Sequence, residues 1–523
     1  MTGVLLELAR AVPPGVAVAL PVLGPVLAAA VALLLGGASR TQRVLTVGTL
    51  VVVTVDALLL LVRVDADGPL AVQAGGWPAP FGITLVADRL SALLLLVSGV
   101  VLLLVLLYAL GQGIADAATG PGTRRVRYVF HPAYLVLAAG VSFAFVTGDL
   151  FNLFVAFEVM LTASYVLITL QAGPRAVRSA MTYIVVSLLA SGLFVAAVGL
   201  VYAATGTVNF ADLHGALAEV PQGVRVALAL LLVVVFGIKA ALFPLYFWLP
   251  DSYPVAPAPV TAVFAGLLTK VGVYAIIRTQ VLLFPDDTAV TGPVLLVMAG
   301  ATLVFGIFGA IAQNEIKRVL SFTIVSHIGF MIMGLGLFTL AGIAGAIFYV
   351  VHHIVIQTTL FAVEGLVERR TGTSRLNRIS GLAHTSPLLG GLFALPALSL
   401  AGFPPFSGFV GKVALIEAGA AAGSWVIVAV AVGVSLLTVY AMAVVWGSAF
   451  WGRPNRPRRD LDAEDAIQVG VRTVPALMTW STAAVVAVGL AIPVVGGPLY
   501  ELCSRAAQDL LAATPYVTAV LGG

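Results

Sequence analysis

Charge is what this sequence has least of. Only 10% of its 523 residues are Asp, Glu, Lys or Arg, against roughly 25% in a soluble globular chain, so no soluble domain can be cut from it. Cysteine is nearly absent as well. The single Cys503 excludes a disulfide framework, a thiolate metal cluster and a thiol redox pair. The net charge of +4 is small and scattered, which excludes the basic face that nucleic-acid binding needs. No Walker loop, Rossmann fingerprint, HExxH, CxxC or nucleophile elbow occurs in a usable context. No nucleotide, haem, cluster or other cofactor is therefore expected. Lysine is scarcest among the basic residues, four against 23 arginines.

What is abundant is apolar: 60% of residues are hydrophobic and the mean hydropathy is +1.09. A spanning helix needs about 20 apolar residues, and that ruler finds fourteen candidates. They run 16–36, 44–64, 83–110, 129–147, 150–170, 178–204, 224–250, 254–283, 290–312, 319–340, 341–367, 387–421, 424–450 and 473–495. The expected fold class is an all-α integral membrane protein. Segment 498–523 is too mixed to span and is expected along the membrane interface.

Lys and Arg should concentrate in cytoplasmic loops. Loops after odd-numbered spans hold Arg40 and Arg43; Arg124, Arg125 and Arg127; Arg175 and Arg178; Lys317 and Arg318; Arg369, Arg370, Arg375 and Arg378; and Arg453, Arg456, Arg458, Arg459 and Arg472, which is 18 of the 27 basic residues. Loops after even-numbered spans are acidic or nearly uncharged, as at Asp65, Asp67, Asp212, Glu219, Asp286 and Asp287. This asymmetry places both termini outside the cytoplasm, and the expected location is the plasma membrane, as a multi-pass protein.

An internal repeat is visible. Gly199-Leu200-Val201 and Thr205-Gly206-Thr207 recur as Gly365-Leu366-Val367 and Thr371-Gly372-Thr373, about 166 residues on. Phe243-Pro244 in the seventh span is answered by Phe403-Pro404 in the twelfth. Five spans separate the copies, and an odd number inverts the second unit in the membrane. The expected organisation is 1–127 for three N-terminal helices, 128–283 for the first five-helix unit, 284–450 for the second, and 451–523 for a cytoplasmic loop, the last span and the C-terminal segment. Proline breaks helix interiors, so Pro244, Pro250, Pro254, Pro257 and Pro259 should interrupt the seventh and eighth spans, as Pro396, Pro404 and Pro405 should the twelfth. Two broken helices in matched positions mark a polar pathway, because freed carbonyls are tolerated at membrane depth only against protein or water.

Three of the four lysines, Lys239, Lys270 and Lys412, lie inside spans. A desolvated lysine can release its proton, whereas arginine cannot. Glu158 is the acidic counterpart. At ~4 Å from Lys239, with an effective dielectric near 20, it would contribute about 4 kcal/mol, enough to decide whether the amine holds its proton. The alternative reading is a static ion pair between helices, and for Lys270 and Lys412 it is snorkelling to the interface. The eleventh span adds His352, His353 and Glu364, and the tenth His327. His353, Gln357 and Glu364 share a helix face at i, i+4 and i+11, and histidine titrates near neutral pH. Asp56, Asp88, Arg89 and Glu417 read as structural.

Several stretches resemble one family, the antiporter-like subunits shared by Mrp-type multisubunit Na+/H+ antiporters and respiratory complex I. They are Gly148-Asp149-Leu150-Phe151-Asn152-Leu153-Phe154 with Glu158, Gly237-Ile238-Lys239 through Phe243-Pro244, Trp248-Leu249-Pro250-Asp251, Leu268-Thr269-Lys270, Lys317-Arg318-Val319-Leu320, His352-His353, and Gly402-Phe403-Pro404-Pro405-Phe406-Ser407-Gly408-Phe409 with Lys412. The run Gly75-Gly76-Trp77-Pro78-Ala79-Pro80-Phe81-Gly82-Ile83, the length and the tail from Tyr516 are most similar to the D-type branch of the Mrp antiporter proteins. The resemblance implies a fourteen-helix subunit whose Glu158, Lys239, Lys270, His352, His353 and Lys412 carry protons along a central hydrophilic axis; His327, Gln357 and Glu364 are accessory candidates on the residues alone. It implies secondary transport rather than enzymatic catalysis, in a complex with other membrane subunits and lipid, moving protons and a monovalent cation. A proton-pumping subunit of a complex I-like oxidoreductase or membrane-bound hydrogenase remains the alternative, as does a scaffold that transports nothing. One departure stands out: Gln357 occupies the place, four residues after the second histidine, where many relatives carry lysine.

Overall fold

The computed structural model describes residues 2–36, 39–114, 123–170, 174–452 and 473–522, with backbone alone at 2, 39, 123–128 and 174–176. The basic side chains of Arg124, Arg125, Arg127, Arg175, Arg453, Arg456, Arg458, Arg459 and Arg472, and the expected boundaries at 127 and 451, fall outside or at the edge of what is described.

Among the described residues, thirteen helices are long and apolar enough to cross a membrane. The fourteenth expected span is split into Pro387–Ala401 and Ser407–Ala421, 15 residues each. At 1.5 Å per residue each piece is about 22 Å long, too short for a core of about 30 Å. End to end they suffice. The helices are unequal in their surroundings. Every residue in the apolar windows of Ala258–Leu282 and Leu340–Thr371 is buried, and 94% in Ile316–Gly336, but only 39% in Pro14–Leu34, Arg40–Asp67, Val177–Thr205 and Trp425–Phe450. The first three are the centre of the bundle, and the other four are its rim.

One expectation needs correction. Residues 83–87, assigned to the third span, form a strand, Ile83–Ala87, paired antiparallel with Leu70–Ala74. Short β-branched runs around Gly75, Gly76 and Gly82 favour a hairpin, and the helix begins only at Arg89, where the Asp88 carboxylate accepts from the Ser91 N–H at 2.8 Å. The tail from 498, expected along the interface, is helical. It falls within two helices, Gly496–Ala512 and Thr514–Leu521. The first packs on Leu340–Thr371 and Arg89–Gln112 and buries Cys503, Ala506, Ala507 and Leu510.

The repeat is written in hydrogen bonds. Asp149 bridges Asn209, and 166 residues later Glu315 bridges Arg375. Leu150 N–H donates to Val208 O at 2.9 Å and Phe210 N–H to Gly148 O at 2.8 Å; Ile316 N–H to Ser374 O and Leu376 N–H to Asn314 O, both at 2.9 Å, are the same bonds shifted by that interval. Thr205 Oγ1 reaches Val201 O and Thr207 O, and Thr371 Oγ1 reaches Val367 O and Thr373 O. Low-complexity helices that resembled each other by chance would not share side-chain caps.

Candidate functional site: a line of buried charges

Lys239 occupies the last turn of Gln222–Ala240, which stops because Ala241 adopts a left-handed conformation at φ 60°. Its Nζ donates to Ser187 O at 3.1 Å and to Ser191 Oγ at 3.2 Å. The Ser191 hydroxyl in turn donates to Glu158 Oε1. Glu158, on Leu150–Thr169, and Lys239 are thus joined through a hydroxyl rather than paired directly. Lys239 also lies 5.8 Å from the centre of the Phe157 ring. A cavity lined by Phe157, Met160, Ser187, Lys239, Trp248 and Leu268, among others, has room for about one water and opens the way from Lys239 toward the eighth span.

That span is bent from α- to π-helix at Phe264–Leu268, and Lys270 follows. The wider turn frees a carbonyl, since a π-bulge disrupts the i to i−4 ladder. Lys270 Nζ, wholly buried, donates to Ala265 O at 2.5 Å. Glycines bring the neighbouring helices close on both sides of this lysine, against backbone on one side and a threonine hydroxyl on the other. A Cβ on Gly272 would sit 2.7 Å from Ala240 N, and one on Gly266 would sit 2.1 Å from Thr358 Oγ1. The eighth span is therefore wedged between the helix of Lys239 and the helix of the histidines. Lys270 lies within electrostatic reach of His327 and His353.

The second half holds a tighter cluster, every member of it buried. His327 Nδ1 shares a hydrogen bond with Tyr349 Oη at 2.6 Å, and the His327 and His353 rings stack at 5.5 Å. His352 Nδ1 meets Ser407 Oγ at 2.8 Å, and Ser407 meets Ser399 at 3.2 Å across the break in the twelfth span. Lys412 Nζ donates to Leu400 O and Ala401 O, both at 3.0 Å. Those carbonyls are free because Pro387–Ala401 ends at Gly402, φ 91°, whose successor Phe403 donates back to Leu398 O. The broken helix thus supplies the acceptors for the ammonium that no carboxylate supplies here.

Gln357 is tied structurally, its amide donating to Leu320 O at 2.8 Å. Glu364 stands apart from the cluster, toward the end of Leu340–Thr371 that carries Arg369 and Arg370. Sequence reasoning missed Ser187, Ser191, Ser399 and Tyr349. The repeat interval offered a signal for one of them, because 166 residues separate Ser191 from Gln357. No group of three or more His, Cys, Asp or Glu suited to a metal occurs among the described residues.

The family described as NADH:quinone oxidoreductase/Mrp antiporter, TM (Proton_antipo_M), matches residues 147–438, more than half of the chain. The chain belongs to this family. Among members of the NADH:quinone oxidoreductase/Mrp antiporter family, a D-type Na(+)/H(+) antiporter protein of Alkalihalophilus pseudofirmus is 40% identical over 505 residues, 96% of this chain and 99% of that protein. A chain of the Mrp complex from a Dietzia species superimposes with a TM-score of 0.89 at 33% identity, covering 97% of this chain and 100% of that one. A chain of respiratory complex I from Thermus thermophilus superimposes at 0.78 with 24% identity, covering 98% and 100%. That last likeness speaks to fold alone.

Proposed function

We propose that this chain is the proton-translocating membrane subunit of a multisubunit Na+/H+-type antiporter, a secondary transporter that makes and breaks no covalent bond other than those to protons. One observation carries the reading. The half-buried Glu158 and the buried Lys239, Lys270, His353, His327, His352 and Lys412 follow one another across both repeats, and hydroxyls or freed carbonyls stand between or beside them. Ionisable groups at membrane depth cost at least ~2.5 kcal/mol each, and a purely structural set would be expected to pair off.

The chemistry follows from the spacing. Through one intervening hydroxyl, at ~6 Å with an effective dielectric near 20, Glu158 and Lys239 couple by about 3 kcal/mol. Moving or protonating Glu158 therefore changes the hold of Lys239 on its proton by about a hundredfold. Lys270 links the two repeats, Lys412 opens to one aqueous side, and water completes the gaps at the histidines. Units 128–283 and 284–450 act as the inverted halves. The partners are other membrane subunits of the complex and lipid, and the chain lies in the plasma membrane with both termini outside. Lys239→Ala and Glu158→Ala should each abolish cation-dependent dissipation of a pH gradient in everted vesicles carrying the whole complex. Unchanged exchange by assembled complex would end the proposal. Exchange without any electron donor separates it from a redox-driven pump.

A further inference from the structure

We infer that Glu364 is a proton-carrying group, the inlet through which the histidine cluster communicates with the basic face of the molecule. The inference rests on the transport reading above and adds a route to it. Glu364 is 1% exposed and neither carboxylate oxygen has a hydrogen-bond partner. Three other buried carboxylates are held, while Asp56, 5% exposed near the rim of the bundle on Ser39–Asp67, also leaves its Oδ2 without a partner. Asp88 is bound by Arg278, Asp287 by Arg225 and Asp149 by Asn152. A buried carboxylate of structural purpose is hydrogen-bonded or paired, and Glu364 is neither.

Its surroundings form a ladder. One turn toward the helix end, Glu368 has a 40% exposed side chain and pairs with Lys317 at 2.7 Å. In the other direction Gln357 and His353 follow on the same face, at spacings of seven and four residues. From Glu368 to His353 the ladder covers about 22 Å, from the rim of Lys317, Arg318, Arg369 and Arg370 to the stacked histidines. The groups facing Glu364 come from three elements. Tyr108 on Arg89–Gln112, whose hydroxyl is likewise buried and unpartnered, lies within its electrostatic reach, as do Lys317 and Glu315 from the tenth span and its approach, and Glu368 on its own helix. Gly365 makes room for that tyrosine, since a Cβ there would sit 2.3 Å from Tyr108 Oη. The carboxylate takes a proton from water near Glu368, becomes neutral, and releases it toward His353. No other bond forms or breaks. Gln357 cannot titrate and its amide donates to Leu320 O, so water carries the proton over the ~16 Å between Glu364 and His353.

The test compares Glu364→Gln with Glu364→Asp in the whole complex, in everted vesicles, with assembly checked by co-purification. Glutamine keeps the volume and loses the proton; aspartate loses a methylene and keeps it. A proton carrier predicts that Glu364→Gln slows exchange by about tenfold or more and that Glu364→Asp retains the greater activity. Wild-type exchange by Glu364→Gln, or aspartate doing no better than glutamine, overturns the inference. Should Glu364→Gln fail to assemble, Tyr108→Phe and Glu368→Gln take its place: slowed exchange supports the inlet and unchanged exchange by both overturns it. Lys239→Ala in parallel keeps the two claims apart. If it abolishes exchange while Glu364→Gln does not, only the inlet falls; if it leaves exchange intact, the transport reading itself has failed.

Discussion

Ser191 is the smallest group on which the first half depends. Its hydroxyl accepts from Lys239 at 3.2 Å and donates to Glu158, so it can pass a proton while holding the two charges apart. Ser191→Ala should leave assembly intact, because a hydroxyl is lost from a small buried residue, and slow exchange by about tenfold or more as one link of proton transfer disappears. Exchange at the wild-type rate in assembled complex would show that the charges communicate by another path. Glu158 and Lys239 were legible in the sequence because a charge in an apolar run is conspicuous. Ser191 was not, since hydroxyls are common in spanning helices and usually bond their own backbone, as Ser435 does to Ala431 O.

The break in the twelfth span is an element built by two glycines. Gly402 sits at φ 91°, and a Cβ there would lie 2.9 Å from Lys412 Cδ. Gly402→Ala should cost about 1–2 kcal/mol from backbone conformation alone and push Lys412 off its carbonyls. Both a lower unfolding temperature of the purified complex and slower exchange are expected. Gly408 is less forgiving: a Cβ would fall 1.7 Å from Ser399 O, so Gly408→Ala should prevent the two half-helices from closing, read as loss of the chain from the co-purified complex. The position of this break was readable from Pro404 and Pro405, which act locally, although Pro396, also expected to interrupt the span, lies inside Pro387–Ala401. That its freed carbonyls at Leu400 and Ala401 meet Lys412 was not, because the lysine returns to them from the far side of the gap.

At the scale of the molecule, one buried knot ties the hairpin, the third and eighth spans and the C-terminal helices together. Arg278 donates to both oxygens of Asp88, at 2.5 and 2.9 Å, and is flanked by the rings of Tyr274 and Tyr516, each 5.3 Å away. Beside it, Arg89 bonds Asp65 and Asp509, and Arg505 bonds Asp65. Removing one partner of a buried pair strands the other, so Arg278→Ala should destabilise the chain by about 3–5 kcal/mol, measured by thermal unfolding of the purified complex. Burial pushes the Asp88 carboxyl up, but the charge and hydrogen bonds of Arg278 and the hydrogen bonds of Ser91 outweigh it and hold the group below the usual carboxylate range. A carboxyl lowered by folding contributes stability that is fully present above its unfolded value, about 4, and is lost as pH falls through its folded one. Acid should therefore weaken the wild-type protein below about pH 4, and Asp88→Asn should flatten that part of the profile while lowering stability at neutral pH.

The amino-acid order alone determined most of the crossings, the interval of the repeat and which charges are out of place in oil, since hydropathy and proline act within a few residues of themselves; it set the third span's start too early and read a break at Pro396, which lies inside a helix. Even the count needed only reconciliation: thirteen intact crossings and one in two pieces. Tertiary packing decided which of the misplaced charges meet. Glycines 266 and 272 seat Lys270 between two helices, Ser191 stands between an acid and an amine 33 and 48 residues away, and the tail folds back to place Tyr516 on Arg278. Contacts over such separations depend on how helix faces rotate and fit against each other, and a face becomes a site only when its neighbour is in place.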